Sequence, residues 1–443
     1  MSKKRVAIIG GGIAGISAAL ELSQYDLDIH LIEKDHFLGG KAINYNCKAA
    51  DGRCRYCYAC LVEGKLKELN RARNVQYHLS SRVLEFKNQV DIHLDLLQDP
   101  QFQTEKEQEV LRCIYNRGDS ENLVLRGPSK NNEPLFSLDF SRIEEVEKDA
   151  NSSTLSEIKK DMDLKSRYKQ TLQVDAVILT TGFQVFNPER IGTYNYQDLD
   201  NVVSALDMEK IRKTRGDYSR PSDHKLPEKI SFVQCVGSRS ESRGNPWCSR
   251  VCCSYALKMA EAISAENPNC EITFFYMDIQ NTERRPVMNP LHIGSGFRFI
   301  RMMPIDMFPG ANSGVKIRYM SQEKEEIQSE EFDLTVLSVG MEPNPENVYI
   351  AKQFDKPLDR YGFIRENTRF EAISSEDYGV FAAGTATGPK NIPQSMDHAT
   401  ETVKKVMNYL SKQEKKDYAE ERGISCDTSI DYRKGVDRHF HGK

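Results

Sequence analysis

The sequence lacks the features of three broad classes of protein. No stretch approaches the run of about 18 uncharged apolar residues that a membrane-spanning helix requires, so we expect no transmembrane segment. The net charge is −4 and no basic face stands out, which argues against a nucleic-acid partner. The start of the chain places charges before a very short apolar run and then glycines, so it predicts a first β-strand and not a signal peptide.

The 11 cysteines are not expected to form a disulfide framework, because the chain shows no export signal. Eight of them fall into two groups of four. The first cysteine group comprises Cys47, Cys54, Cys57 and Cys60, and the second cysteine group comprises Cys235, Cys248, Cys252 and Cys253. Clustering in fours is typical of metal or iron–sulfur sites. The isolated Cys113, Cys270 and Cys426 are expected to be thiols without a role, since isolated cysteine usually packs as a small hydrophobe.

The N-terminal segment predicts a βαβ unit that binds a dinucleotide. Residues 5–9 form a buried strand, residues 16–25 an apolar helix and residues 27–33 a second strand. The turn between strand and helix carries Gly10, Gly12 and Gly15 in the pattern GxGxxG. The first glycine makes the turn, the second admits a pyrophosphate, and the third allows the helix to pack on the strand. Glu33, which lies 18 residues past Gly15, is placed to accept hydrogen bonds from ribose hydroxyls.

Several further motifs favour FAD as the dinucleotide. A Gly39-Gly40 pair follows the acidic residue, as in flavoproteins in which such a pair contacts the FAD diphosphate. Thr181-Gly182 resembles the second motif of that superfamily and Gly384-Thr385 its late flavin motif, although most members have aspartate where this chain has Thr385. The residues predicted from these motifs to bind FAD are Gly10, Gly12, Ile13, Ala14, Gly15, Glu33, Lys34, Gly39, Gly40, Lys41, Thr181, Gly182, Gly384 and Thr385.

A second βαβ-like unit lies in the middle of the chain but lacks the glycine pattern. Strands are predicted at 229–235, 271–276 and 332–339, and a helix at 255–265. The first of these strands runs into Gly237-Ser238-Arg239 and a loop that bears cysteines, where a nicotinamide dinucleotide would need a glycine cradle. We therefore interpret the unit as a nicotinamide-binding domain that has acquired another use.

The predicted fold is α/β, with two dinucleotide-binding domains of the thioredoxin reductase-like type and a degenerate second domain. Residues 1–225 form the first part of the FAD-binding domain, with a polar insertion at 98–170 that we interpret as an exposed β meander. Residues 226–340 form the degenerate NAD(P)-like domain with the second cysteine group. Residues 341–412 complete the FAD domain with a late strand at 379–383 and a closing helix at 394–410, and residues 413–443 form a charged, loosely ordered tail.

The spacing of the first cysteine group favours a [4Fe–4S] cluster, and the four thiols of the second group, on a loop that leads into a helix, could hold one. The first group has the pattern C-x6-C-x2-C-x2-C, which contains the tight triple of bacterial ferredoxins. The second group has the pattern C-x12-C-x3-C-C, without the CxxC of a redox dithiol, and its loop carries Arg239, Arg243 and Arg250 to offset thiolate charge. Zinc and a regulatory thiol cluster remain alternatives for the first group, although zinc usually takes two separated CxxC pairs.

The order of these motifs resembles the A subunit of heterodisulfide reductase and its relatives. The specific parts are Cys248-Ser-Arg-Val-Cys252-Cys253-Ser-Tyr-Ala-Leu-Lys and Gly388-Pro-Lys-Asn-Ile-Pro393, and the resemblance covers roughly residues 1–97 and 171–412. It implies that Cys235, Cys248, Cys252 and Cys253 ligate one [4Fe–4S] cluster. It further implies an isoalloxazine site lined by Gly388, Pro389, Lys390, Ile392 and Pro393, where Lys390 would favour a reduced, anionic flavin N1.

The resemblance predicts an FAD and iron–sulfur electron-transfer subunit of a heterodisulfide reductase-like complex in sulfur metabolism, with FAD and two [4Fe–4S] clusters. The chain has no added ferredoxin domains, which favours the short A-type subunits. Its expected partners are B- and C-like subunits or a membrane subunit that reacts with quinone, and a homodimer is left open. We expect a cytoplasmic protein that reaches the membrane only through such partners. No acid–base or nucleophilic constellation is predicted, and His292 and His398 are expected to be packed histidines.

Two other functions remain open on the sequence alone. One is a self-contained NAD(P)H-dependent flavin disulfide or quinone reductase, which would need nicotinamide binding at residues 226–338. The other is a non-enzymatic flavoprotein scaffold that carries zinc. Bleaching of the flavin by NADH or NADPH alone would favour the first, and zinc without acid-labile sulfide would favour the second.

Overall fold

Two five-stranded parallel sheets form the centre of the molecule. The computed structural model describes residues 3–87, 91–96, 168–280, 296–321, 324–366 and 378–421. The strands of the first sheet are β1 (Arg5–Ile9), β2 (Asp28–Ile32), β3 (Val75–His78), β7 (Ala176–Leu179) and β18 (Val380–Ala382). Their order across the sheet is β18-β7-β1-β2-β3. Four consecutive residues of the five in β1 are buried, as expected for a strand covered on both faces.

The second sheet is also parallel. Its strands are β9 (Val202–Ser204), β10 (Lys229–Val236), β11 (Glu271–Phe275), β12 (Arg298–Ile300) and β16 (Leu334–Val339), and their order is β12-β11-β10-β16-β9. The ladder between β10 and β16 shifts register between Val233 and Val236, next to the first cysteine of the second group. Such a bulge redirects a side chain that a regular strand would point elsewhere.

Antiparallel strands complete the described part of the chain. One three-stranded sheet comprises β4 (Ser81–Lys87), β5 (Asp91–Leu96) and β6 (Tyr168–Gln173), and another comprises β13 (Asp306–Pro309), β14 (Val315–Met320) and β15 (Ile327–Phe332). The short strands β8 (Phe183–Val185) and β17 (Met341–Pro343) pair where the chain passes between the two parallel sheets.

The helices cover the faces of the parallel sheets. They are α1 (Ile13–Leu22), α2 (Ala59–Leu69), α3 (Ala205–Arg215), α4 (Cys252–Glu266), α5 (Asn347–Gln353) and α6 (Ile392–Glu421). Apolar side chains of α1 and α6 pack together with β1 and β2 in one core, and those of α4 pack with β10 and β11 in another. Within the described residues, we find no helix with the length and apolar character needed to cross a bilayer.

The predicted elements occur in the predicted order, with differences at their ends. The closing helix continues past residue 410 to Glu421, so the part of the tail up to that residue is helical. Helix α4 begins at Cys252, so both adjacent cysteines lie in its first turn. The strand β9 and helix α3 join the second sheet although they precede residue 226, the expected start of that domain. Residues 98–167 of the insertion predicted at 98–170, His292, Cys113, Cys426 and the tail beyond residue 421 lie outside the described residues.

Candidate functional site

The glycine turn after β1 leaves one face open to a cavity. A methyl group on Gly10, whose φ is +112°, would lie 2.4 Å from the Thr180 carbonyl oxygen, and one on Gly15 would lie 2.0 Å from the Gly10 carbonyl oxygen. These two glycines therefore permit close packing of turn, helix and neighbouring strand. A methyl group on Gly12 would meet nothing within 4 Å. The second glycine thus faces open space beside the N-terminus of α1, which is where a diphosphate would approach free N–H groups.

Glu33 lies at the end of β2 beside this turn. Its carboxylate accepts hydrogen bonds from the backbone N–H of Gly11 at 2.6 Å and of Asp35 at 3.0 Å. Burial raises the pKa of Glu33 to about 7, and the two hydrogen bonds offset part of that rise. The side chain still lines the cavity, so ribose hydroxyls would find an acceptor that the fold has already oriented.

A cavity of about 710 Å³ extends from the glycine turn to the second parallel sheet. Most residues predicted to bind FAD line it, namely Gly10, Gly12, Ile13, Ala14, Glu33, Lys34, Gly39, Gly40, Lys41, Thr181, Gly182, Thr385, Lys390 and Ile392. Five other predicted residues are not part of its lining, namely Gly15, Gly384, Gly388, Pro389 and Pro393. Gly15 and Gly384 instead allow close packing, since a methyl group on Gly384 would lie 2.5 Å from the Ala14 side chain.

Lys390 reaches this cavity and is held by a short chain of polar contacts. Its ammonium donates to the Thr387 hydroxyl at 2.7 Å, and that hydroxyl donates to Glu366 at 2.7 Å. His398 stands 3.5 Å from the same carboxylate and accepts the Gly384 N–H through Nδ1 at 3.2 Å. Burial lowers the pKa of Lys390 and also that of His398, while Glu366 opposes the change in both.

The turn after β10 differs from the turn after β1. A methyl group on Gly237 would lie 2.1 Å from the Phe186 ring, so this glycine is covered and not open to a ligand. The loop between β10 and α4 returns on itself, because Asn245 donates to the Gly237 carbonyl at 2.9 Å. Arg239, in the same loop, forms an ion pair with Asp278. The second unit lacks the GxGxxG pattern, and in the described structure the space beside its turn is filled by the Phe186 ring.

In the first cysteine group, Cys47, Cys54 and Cys57 lie in the loop before α2 and Cys60 lies in the first turn of that helix; the thiols are mostly exposed. Backbone N–H groups point at three of the sulfurs: Ala49 donates to Cys47 at 3.4 Å, Tyr56 to Cys54 at 3.4 Å and Lys48 to Cys57 at 3.3 Å. Burial raises the pKa of the Cys47 thiol, and the neighbouring thiols of Cys57 and Cys60 add to the rise. Asp51, Tyr56 and Tyr58 all have positive φ, so the loop holds an unusual concentration of left-handed residues.

The second cysteine group surrounds the N-terminus of α4. Cys235, which has a φ of +57°, ends the bulged part of β10, while Cys252 and Cys253 begin the helix. A hydrogen bond from Cys252 lowers the pKa of the Cys253 thiol to about 7, whereas burial raises that of Cys235 to about 11. The thiols of Cys235, Cys248 and Cys253 all raise the pKa of Cys252. The four predicted residues are thus brought together.

No three His, Cys, Asp or Glu side chains in the described ranges converge closely enough to hold a single metal ion. A four-iron cluster places its ligands at separate corners of a cube, so its thiols stand farther apart than those around one ion. Each group offers four thiols, and backbone N–H groups point at Cys47, Cys54 and Cys57 in the first and at Cys248 in the second. The two [4Fe–4S] clusters stay a prediction.

One cysteine of each group lines the cavity, Cys57 from the first and Cys252 from the second. Several other lining residues were not among those predicted from the sequence, namely Tyr45, Asn46, Lys48, Phe183, Tyr255 and Lys258. Tyr255 and Lys258 belong to the run that comes after Cys252-Cys253, so that motif offered a signal. The residues around Cys47 offered none beyond their position between two predicted sites.

Comparison with known proteins supports the flavoprotein interpretation. The family described as DAO, FAD dependent oxidoreductase, matches residues 5–123. The A subunit of ferredoxin:CoB-CoM heterodisulfide reductase from Methanosarcina mazei is 27% identical over 427 residues, which cover 92% of this chain and 53% of the relative. The iron-sulfur A subunit of CoB–CoM heterodisulfide reductase from Methanocaldococcus jannaschii is 27% identical over 425 residues, covering 89% of this chain and 63% of the relative. The chain thus spans about half to three fifths of the length of these relatives.

Solved structures share the fold. Thioredoxin reductase of T. acidophilum aligns with a TM-score of 0.51 at 13% identity over 93% of this chain and 99% of its own. A cysteine variant of the HOCl-induced flavoprotein disulfide reductase RclA of Escherichia coli, in its Cu(II) complex, aligns with a TM-score of 0.50 at 12% identity over 93% of this chain and 71% of its own. At these identities the likeness concerns the fold alone.

The chain has the fold with two dinucleotide-binding domains, and its residues 5–123 match the FAD-dependent oxidoreductase family. Within that class, the chain resembles the A subunit of heterodisulfide reductase over about nine tenths of its length, as its motifs predict.

Proposed function

We propose that this chain is an electron-transfer subunit that relays electrons between FAD and two [4Fe–4S] clusters in a heterodisulfide reductase-like complex. The observation that carries this proposal is that Cys57 and Cys252, one from each cysteine group, line the cavity that the dinucleotide glycines also line. FAD would supply the exchange between two-electron and one-electron carriers. The name of one relative, an iron-sulfur A subunit, supports the same assignment.

The residues present fit these groups. Gly12, Glu33 and Lys41 line the cavity and would hold a diphosphate and ribose, and Lys390 also lines it. In each cysteine group, N–H groups point at sulfur, and in the second group the backbone N–H of Arg250 donates to Cys248 at 3.3 Å. Hydrogen bonds to a charged acceptor stabilise the thiolate form that iron requires.

The partner subunits and the cellular location are proposed from the same resemblance. Several relatives are named as A subunits of complexes that use H2, formate or ferredoxin. We propose B- and C-like subunits, or a membrane subunit that reacts with quinone, as partners in sulfur metabolism, with this chain in the cytoplasm. The electron donor and acceptor would be bound by those partners.

The test is the iron, acid-labile sulfide and FAD content of protein purified without oxygen. We expect about eight iron and eight sulfide per FAD. C54S and C248S should each lower the iron to about four while FAD is retained, and C270A, which alters an isolated buried thiol, should keep all eight. Protein with zinc, or with FAD and no labile sulfide, would refute the proposal. Bleaching of the flavin by NADH or NADPH alone would favour a self-contained reductase instead.

A further inference from the structure

A buried ion pair lies between the two cysteine groups, and neither the motifs nor the predicted cofactors account for it. The Lys48 ammonium and the Glu209 carboxylate form this pair, with side chains 1% and 0% exposed. Lys48 directly follows the first ligand candidate of the first group, whereas Glu209 lies on helix α3. Removing two charges from water is costly, so such a pair is retained only where its surroundings satisfy both partners.

The Glu209 carboxylate accepts hydrogen bonds from residues of both domains. Its Oε2 accepts the Asn46 backbone N–H at 2.9 Å and the Asn46 side-chain amide at 2.8 Å. Its Oε1 accepts the Tyr255 hydroxyl at 2.6 Å as well as the Lys48 ammonium. Asn46 and Lys48 belong to the loop of the first cysteine group, and Tyr255 belongs to helix α4, which begins with Cys252 and Cys253. One carboxylate therefore joins the supports of the two groups.

The pair also connects directly with sulfur in the first group. The backbone N–H of Lys48 donates to Cys57 Sγ at 3.3 Å, and the Lys48 ammonium donates to the Asn46 carbonyl at 3.0 Å. The same carbonyl is 3.9 Å from Cys57 Sγ. A displacement of the Lys48 side chain would therefore change the position of the N–H that points at Cys57, the cysteine of this group that lines the cavity.

Helix α4 makes two more contacts with this loop at helical spacing. Lys258 donates to the Tyr56 carbonyl at 3.0 Å, and Glu261 forms an ion pair with Arg55 at 3.4 Å. Together with Tyr255, these residues recur every third position and so lie along one face of the helix. The helix that carries half of the second cysteine group thus holds the loop of the first.

We propose that the Lys48–Glu209 ion pair is a positioning element that fixes the first cysteine group against helix α4, so that its cluster assembles beside the FAD cavity at a set place relative to the second group. Two apolar residues of similar volume would serve general stability at least as well. An ion pair with directional hydrogen bonds instead selects one position of the loop. This inference rests on the proposed function, because it concerns the cluster of the first group.

The test compares E209Q, K48M and the double variant K48M/E209Q, each purified without oxygen. Each single variant leaves one buried charge without its partner next to the loop of the first cysteine group, so iron should fall from about eight to about four per FAD. The electron paramagnetic resonance signal of the reduced first cluster should be lost while that of the second persists. The double variant strands no charge and should retain more iron than either single variant, as expected for coupled residues.

The matched control is E266Q. Glu266 pairs with Arg212 across the same two helices, α3 and α4, but these side chains are 35% and 28% exposed. Such exposed pairs contribute little to stability, so E266Q should keep all eight irons and both signals.

Single variants with unchanged iron and signals would overturn the inference. So would a double variant no better than the singles, or joint loss of FAD and both clusters, which would show a role in the whole fold. Wild-type protein without iron would instead refute the proposed function.

Discussion

The two βαβ units of this chain share a topology and differ in the segment after their first strand. In the first unit, residues 10–12 connect β1 to α1, and Gly12 faces an open cavity. In the second unit, residues 237–251 connect β10 to α4, Gly237 is covered by Phe186, and two cysteines occupy the first turn of the helix. A helix N-terminus favours negative charge in either case. One physical device can thus serve a diphosphate in one unit and, as we propose, cluster thiolates in the other.

The largest effect is expected from filling the open glycine of the first unit. In G12V, the added Cβ would meet no protein atom within 4 Å and would occupy the open space of the cavity, so the chain should fold and lose FAD. We expect the dissociation constant for FAD to rise by at least about a hundredfold, which corresponds to about 3 kcal/mol. Flavin fluorescence during titration of the apoprotein measures this. G192A, at a glycine that also has no neighbour within 4 Å of an added methyl group but does not line the cavity, should bind FAD normally.

The covered glycine of the second unit should respond in the opposite way. An added methyl group in G237A would overlap the Phe186 ring, and the backbone φ of +75° is unfavourable for alanine. We expect a loss of roughly 2 kcal/mol in the free energy of unfolding, within the range of overpacked sites, and little direct change in contacts to FAD. Denaturant unfolding of the apoprotein measures it. If G237A proved as stable as the wild type, Gly237 would not be covered by Phe186 and would not differ from the open Gly12 in this respect.

Glu33 gives the first unit a pH dependence. Burial holds its pKa at about 7 in the apoprotein against 4.5 in the unfolded chain, with Asp35 raising it further and Lys34 lowering it. The folded state therefore binds the proton more tightly, and the stability of the apoprotein should fall by roughly 3 kcal/mol as the pH rises from about 4.5 to about 7. E33Q should abolish this part of the pH dependence. Thermal unfolding of both proteins across this pH range provides the measurement.

The binding of FAD should show the opposite trend. Ribose hydroxyls donate to the ionised carboxylate, so the FAD affinity should weaken below about pH 7, by at most about tenfold per pH unit. In E33Q the affinity should be lower and should not show this trend. An equally steep pH profile in both proteins would assign the effect to another group.

The first unit could be predicted almost completely from the sequence, and the second only in part. Strand, glycine turn, helix and Glu33 are local in the chain, so their spacing sufficed to locate the cavity. The contacts of Lys48 with Glu209 and of Lys258 with Tyr56 join residues far apart in sequence. No periodicity indicates such pairs, and an isolated lysine beside a cysteine predicts only an exposed charge. The left-handed φ of Cys235 likewise depends on a bulge between two strands that are distant in the chain.

The smallest effect is expected at Lys390, another residue of the cavity lining, which is supported by a single hydroxyl. T387V removes the group that accepts from Lys390 and donates to Glu366 while keeping the shape of the side chain. A hydrogen bond to a charged group is worth about 1.5–3 kcal/mol, but Glu366 is half exposed and stands 3.7 Å from Lys390, so it can take over the contact. We therefore expect at most about a fivefold weakening of FAD binding and a small negative shift in the flavin reduction potential, since a less well-placed cation favours the anionic reduced form less.

Potentiometric titration of T387V and of K390M would compare the shifts in flavin reduction potential that the two variants cause. A shift in T387V as large as that in K390M would mean that the Lys390 ammonium acts on the flavin only while the Thr387 hydroxyl holds it, and that Glu366 does not take over the contact.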